Sequence, residues 1–119
     1  MADQIMTIYK IATKTQWAEA KVNGIFEGAP IDLADGYIHF STASQVRETA
    51  AKHFANQSDL LLVSIDENKL GDALKFEASR GDQLFPHLYE KLSLAAVTNV
   101  AEMPLDDDGK HIFPADLPL

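Results

Sequence analysis

The stretch Gly36-Tyr37-Ile38-His39-Phe40-Ser41-Thr42 alternates apolar and polar side chains with the two-residue period of a half-buried β-strand. Side chains alternate across a strand, so Ile38 and Phe40 are expected on a core face and Tyr37, His39 and Ser41 on the opposite one. A phenol, an imidazole and a hydroxyl in one row are either a solvated face or one wall of a site. A solvated face is the commoner case, so the functional reading needs other groups to converge there.

The neighbouring elements follow outward from this strand. Thr42-Ala43-Ser44-Gln45 has the spacing of a capping box and predicts a helix to about Phe54, with Val46, Ala50, His53 and Phe54 on one stripe. Upstream, Ile5 to Ala12 is rich in Ile, Thr and Tyr and predicts a strand. Thr13 to Gln16 repeats the capping-box spacing, predicting a helix to about Asn23 that turns Trp17 and Ala20 inward and stops at Gly24. Ile25 to Asp35, punctuated by Gly and Pro, reads as a loop.

Downstream, Leu60 to Ile65 is a short continuous apolar run, which predicts a strand buried on both faces at the centre of a sheet. Asp66 to Leu70 fits one helical turn. Leu74 to Ser79 alternates, with Leu74, Phe76 and Ala78 on one side and Lys75, Glu77 and Ser79 on the other. Arg80 to Gln83 reads as a turn. Leu84 to Tyr89 is extended, because the residue before Pro86 is pushed away from helix. Ala95 to Met103 is a last strand, and a tail from Pro104 offers Ile112 and Phe113 to dock back. Two early helices followed by a run of strands predict an α+β domain over residues 1–119, with a mixed, mostly antiparallel sheet. No Gly-x-Gly-x-x-Gly or Walker loop is present, which disfavours a doubly wound nucleotide fold.

Composition narrows the chemistry. The 119 residues, 46% of them hydrophobic and 24% charged, suffice for one domain with a real core. With no cysteine, thiolate catalysis, disulfides and zinc–thiolate sites are excluded. That absence fits a cytoplasmic protein. The opening residues have neither a basic n-region nor an apolar h-region, and no secretory signal or membrane span is expected. Ten basic residues are scattered among eighteen acidic ones, for a net charge of −8, so nucleic acid is not an expected partner. Lys10, Lys14 and Arg80 are the candidates for local basic pockets.

Three places could carry chemistry beside His39. Phe85-Pro86-His87-Leu88-Tyr89 presents His87 and Tyr89 two residues apart on a stiffened segment, or it is a structural loop. Glu77 is either a solvated carboxylate or one that holds a hydroxyl or a developing positive charge. The start of the Thr42 helix, bordered by His39 and Ser41, has the free N–H groups of an anion site unless Thr42 and Gln45 satisfy them. The histidines at 39, 53, 87 and 111 lack the close spacing of zinc helices, so no metal is expected. His53 reads as a partly buried helix residue.

The ordered set IYKIAT, the Trp17 helix, DGYIHFST and FPHLY resembles the domain-of-unknown-function family 952 of small bacterial proteins. The likeness spans about residues 8–100 and leaves 104–119 as a tail. That family is in turn distantly similar to the ADP-ribosyltransferase-like fold, which includes RNA 2′-phosphotransferases. Ile38-His39-Phe40-Ser41 falls on a Val-His-Leu-Ser-like segment of those enzymes. Tyr9-Lys10 falls on an aromatic-His pair, with Lys10 where His is expected. Lysine lacks a ring and an acceptor and could only pair with a phosphate. The resemblance implies a cleft walled by His39 and Ser41 and a small nucleotide-like ligand such as NAD or an ADP-ribose compound. His39, Glu77 and His87 would be catalytic, and Lys10, Ser41, Thr42 and Tyr89 would bind the ligand. It also implies a transferase-like enzyme or, alternatively, a non-catalytic binding or interaction module; apart from the resemblance, a monomer is favoured.

Overall fold

The computed structural model describes residues 6–79, 83–115 and 117. Strand β1 (Thr7–Thr13) leads into helix α1 (Lys14–Asn23). The capping box forms as expected: the Thr13 hydroxyl accepts from the Gln16 N–H, and the Gln16 side chain accepts from the Thr13 N–H, each at 3.0 Å. Such a cap contributes about 1 kcal/mol. The helix buries Trp17 and Ala20 and ends at Gly24.

The segment read as a loop is not one. It forms strand β2 (Ile25–Phe26) and helix α2 (Pro30–Asp35). Pro30 sits in the first helical turn, where its fixed φ suits the helix and its missing N–H costs nothing. The Asp32 carboxylate accepts from the Ala29 N–H at 2.8 Å and closes the N-terminal end. The remaining elements are β3 (Ile38–His39), α3 (Val46–His53), β4 (Leu60–Asp66), β5 (Leu74–Ala78), β6 (Leu84–Leu88), β7 (Leu92–Ser93) and β8 (Val97–Glu102). A 3-10 turn at Glu67–Lys69 takes the place of the expected helical turn.

Three sheets result, ordered β1-β4-β8, β2-β7 and β3-β6-β5. All the pairings among the described residues are antiparallel, in line with the mostly antiparallel arrangement expected, and they fall into three separate sheets. β4 is central, as its apolar run requires. The β1-β4-β8 sheet is covered on both faces. Ile8, Val63 and Ile65 pack with Trp17, Phe26, Ile38 and Phe40 on one side. On the other, Tyr9, Ile11 and Leu62 pack with Val46, Ala50 and Met103. Phe113 and Leu117 dock on this second core, while Ile112 stays exposed.

The central segment is shorter as a strand than its alternation suggests. Beyond Phe40, which keeps one bond to β6, the chain leaves β6 and exchanges two backbone hydrogen bonds with β1, Tyr9 N–H to Ser41 O at 2.8 Å and Ser41 N–H to Tyr9 O at 2.9 Å. Residues 38–41 therefore join two sheets. In β5 the apolar face runs past the body of the domain, so Phe76 is 41% exposed and only Leu74 reaches the core. His53 is exposed, not part of the α3 core stripe. Ile5 and most of the expected Arg80–Gln83 turn lie outside the described residues.

Candidate functional site

The site grows from the antiparallel pair β3–β6. The register sets Ile38 against Leu88 and His39 against His87. Leu88, like Ile38, turns to the core, so both imidazoles turn to the other face. On β6's far side, Lys75 opposes His87 and Glu77 opposes Phe85, which brings Glu77 to the same face. The rings of His39 and His87 meet edge-on with centroids 5.5 Å apart. Tyr37 lies between them, 4.2 Å from His87 in a stacked pose and 4.7 Å from His39, and its ring also reaches Tyr89 at 5.1 Å.

Carboxylates hold both imidazoles. His87 Nδ1 lies 2.8 Å from Glu77 Oε1, and the Tyr89 hydroxyl donates to that same oxygen at 2.8 Å. These two bonds hold the Glu77 carboxyl below its ordinary range, His87 more than Tyr89. The accepting carboxylate in turn pushes the Tyr89 phenol up. His39 Nδ1 lies 2.6 Å from Asp32 Oδ1, and its Nε2 lies 2.9 Å from Asp35 Oδ2. Both contacts are hydrogen bonds at once only when both ring nitrogens carry a proton or a carboxyl does. Burial, then the Asp35 and Glu77 charges, raises the Tyr37 phenol.

Behind His39 sits a buried ion pair. Asp32 is 1% exposed and Lys10 6%. The Lys10 ammonium meets Asp32 Oδ2 at 2.9 Å and Oδ1 at 3.1 Å, and donates to the His39 carbonyl at 2.9 Å. Burial works against the Asp32 carboxylate, but the His39 bond and the Lys10 charge win and hold it at about 2. For Lys10 the balance is reversed, and burial lowers it despite Asp32.

Four of the expected residues thus converge: His39, Glu77, His87 and Tyr89. The other three do not. Lys10 is spent on Asp32 and the His39 carbonyl and is not placed to meet a phosphate. Ser41 is buried and its hydroxyl pairs with Thr49 of α3 at 3.0 Å. Thr42 Oγ1 pairs with Ser44 at 3.2 Å. The Gln45 amide accepts from the Thr42 N–H at 3.0 Å and donates to the Leu84 carbonyl at 2.8 Å. Residues 43–45 form a turn and α3 starts only at Val46, four residues beyond the start expected at Thr42.

Asp32 and Asp35 had no place in the sequence reading, because their segment read as a loop. The signal was present: Pro30 opens and Gly36 closes a six-residue segment with two carboxylates three apart, just before His39. Beside the cluster a cavity of about 260 Å³ opens, lined among others by Asp32, Leu33, Tyr37, Tyr89, Glu90 and Lys91. Among the described residues no group of three or more His and carboxylate side chains is arranged to hold a metal ion. No helix there is long and apolar enough to cross a membrane.

The model of a family described as a protein of unknown function, DUF952, matches residues 11–100. The crystal structure of protein CC0527 from Caulobacter crescentus is 48% identical, with a TM-score of 0.86 over 89% of this chain and 93% of that one. The solution NMR structure of CC0527 is 49% identical, with a TM-score of 0.79 over 87% and 90%. No curated protein matches the chain.

Proposed function

The chain belongs to the DUF952 family of proteins of unknown function, and we propose that it uses the His39–His87 cluster to bind a small ribose-bearing ligand of the NAD or ADP-ribose class and to act on its glycosidic bond. The observation that carries this reading is the shared acceptor: His87 Nδ1 and the Tyr89 hydroxyl both end on Glu77 Oε1, beside a cavity lined by two tyrosines. Held ionised, Glu77 opposes the positive charge that develops at a sugar carbon as its bond to the leaving group breaks. Tyr37 and Tyr89 offer ring faces to a heterocycle. His39, between two carboxylates, is the group to carry a proton to or from the leaving group.

The distant likeness to the ADP-ribosyltransferase-like fold at Ile38-His39-Phe40-Ser41 supports the same ligand class. The net charge of −8 supports a free small molecule over nucleic acid, and we take the acting species to be a cytoplasmic monomer. Isothermal titration with NAD and ADP-ribose tests the reading. Heat of binding is expected, reduced at least tenfold in affinity by Tyr37→Ala. A folded sample that gives no heat at millimolar ligand sinks it.

One observation favours a second reading, a binding module without turnover. Lys10, where the resembling enzymes carry a His, is buried with its charge already paired to Asp32. Binding that survives Glu77→Gln with no product formed would select this reading.

A further inference from the structure

A buried charge pair is an uncommon way to fill a core. Each ion loses its hydration, and a matched apolar pair is often as stable or more so. The Lys10–Asp32 pair therefore calls for a reason beyond stability, and its hydrogen bonds supply one. Lysine has three N–H donors. Those of Lys10 meet Asp32 Oδ1, Asp32 Oδ2 and the His39 carbonyl. Asp32 in turn accepts from the His39 N–H at 3.1 Å and the Ala29 N–H at 2.8 Å, and it meets His39 Nδ1 at 2.6 Å. His39 is thus held at three atoms: its carbonyl by Lys10, and its N–H and Nδ1 by the carboxylate that Lys10 pins.

We propose that Lys10 is a positioning residue which, through Asp32, fixes the imidazole of His39 with Nδ1 turned inward and Nε2 turned outward to the exposed Asp35. The proposal rests on the reading of His39 as the proton-carrying group of the site and says which nitrogen does that work. Asp32 is buried and Asp35 is 42% exposed, so Nε2, which meets Asp35 at 2.9 Å, is the nitrogen on the solvent side of the ring, the side from which a proton can be exchanged. The groups around the ring come from separate elements: Lys10 from β1, Asp32 and Asp35 from α2, His87 from β6, and Tyr37 from the turn before β3. Of these, Lys10 and Asp32 together grip both the backbone and the ring of His39. A lysine that merely tied β1 to α2 would need no bond to the His39 carbonyl.

Long-range proton–nitrogen NMR of the ligand-free, 15N-labelled protein tests this. In the wild type, His39 is expected to show a hydrogen-bonded Nδ1 proton and ring-to-ring Overhauser contacts with Tyr37. In Lys10→Met both are expected to vanish for His39, while the corresponding His87 signal on Glu77 persists. An unchanged His39 spectrum in that variant overturns the proposal. Should Lys10→Met fail to fold, the wild type still decides. The Lys10 ammonium protons must exchange with water far more slowly than those of Lys21 or Lys52. Exchange at the surface rate also overturns it. A failed titration with NAD and ADP-ribose would instead remove the ligand reading and leave these spectra untouched.

Discussion

Phe40 and Pro86 face each other across β3 and β6 with one backbone hydrogen bond where an ordinary pair would have two. The Phe40 N–H donates to the Pro86 carbonyl at 3.0 Å, and Pro86 has no N–H to return. The register from Ile38–Leu88 and His39–His87 would continue to this pair, and the ladder stops there. On its other side Pro86 opposes Phe76 of β5, in register between the Lys75–His87 and Glu77–Phe85 pairs. The proline therefore ends one ladder without breaking the other. The freed chain turns to β1 at Ser41.

Restoring the missing donor should lengthen β3. In Pro86→Val the new N–H is expected to bond the Phe40 carbonyl and show protection in amide hydrogen exchange. One added bond contributes about 1 kcal/mol, and the lost proline costs about 0.4–1 through the unfolded chain. The midpoint of urea unfolding should hardly move. A fast-exchanging amide at position 86 would contradict this account.

Breaking the buried pair should cost far more than breaking a surface one. Asp32→Ala strands the Lys10 ammonium and removes the cap on Ala29, and a loss of about 3–5 kcal/mol is expected in chemical denaturation. The exposed pair Lys14–Glu102 spans 2.9 Å as well. Its removal by Lys14→Met should cost about 1 kcal/mol or less.

The same carboxylate sets an acid limit. Asp32 falls from an ordinary 3.8 to about 2 on folding. A depressed folded value means stability fully present above the unfolded value and lost as pH falls towards the folded one. Roughly 2 kcal/mol should disappear between about pH 4.5 and 2, at about 1.4 kcal/mol for each tenfold change in proton affinity. Asp32→Asn is expected to start less stable and to fall less steeply over that window. Equal slopes would refute the assignment.

Gly28 should not tolerate a side chain. It sits at φ 122°, and an added Cβ would lie 2.9 Å from the Cβ of Asp32. Gly28→Ala is expected to lose about 1–3 kcal/mol, and to displace α2 so that the His39 ring signals shift with it.

Glu77 should govern the Tyr89 phenol. Its carboxylate holds the hydroxyl proton and raises that group. In Glu77→Gln the ultraviolet titration of Tyr89 is expected at lower pH than in the wild type. A midpoint that stays put would mean that the 2.8 Å bond does not form in solution.

Much of this was legible in the sequence, for reasons tied to particular residues. Thr13, Gln16 and Gly24 mark α1 because capping is local. Leu60 to Ile65 announces a central strand because both faces must be dry. Ile38 and Phe40 reveal the core face by simple alternation. What failed depended on contacts far along the chain. The end of β3 is written at Pro86, 46 positions after Phe40. Phe76 sits on the expected face, but that face extends past the core. Ser41 and Thr42 were assigned to a ligand because a helix was expected at once, whereas Gln45 reaches across to the Leu84 carbonyl instead. Lys10 could not be seen as buried without Asp32, whose segment read as a loop.

Helix α2 carries one more consequence. It leaves Ile31 61% and Leu33 65% exposed and buries only Asp32. Charge and hydrogen bonds, not apolar area, anchor it. The hydrophobic drive that holds the rest of the domain fades on cooling, but the anchor of α2 does not share that dependence. Near freezing, the wall of the site should be the part of the molecule that loosens least.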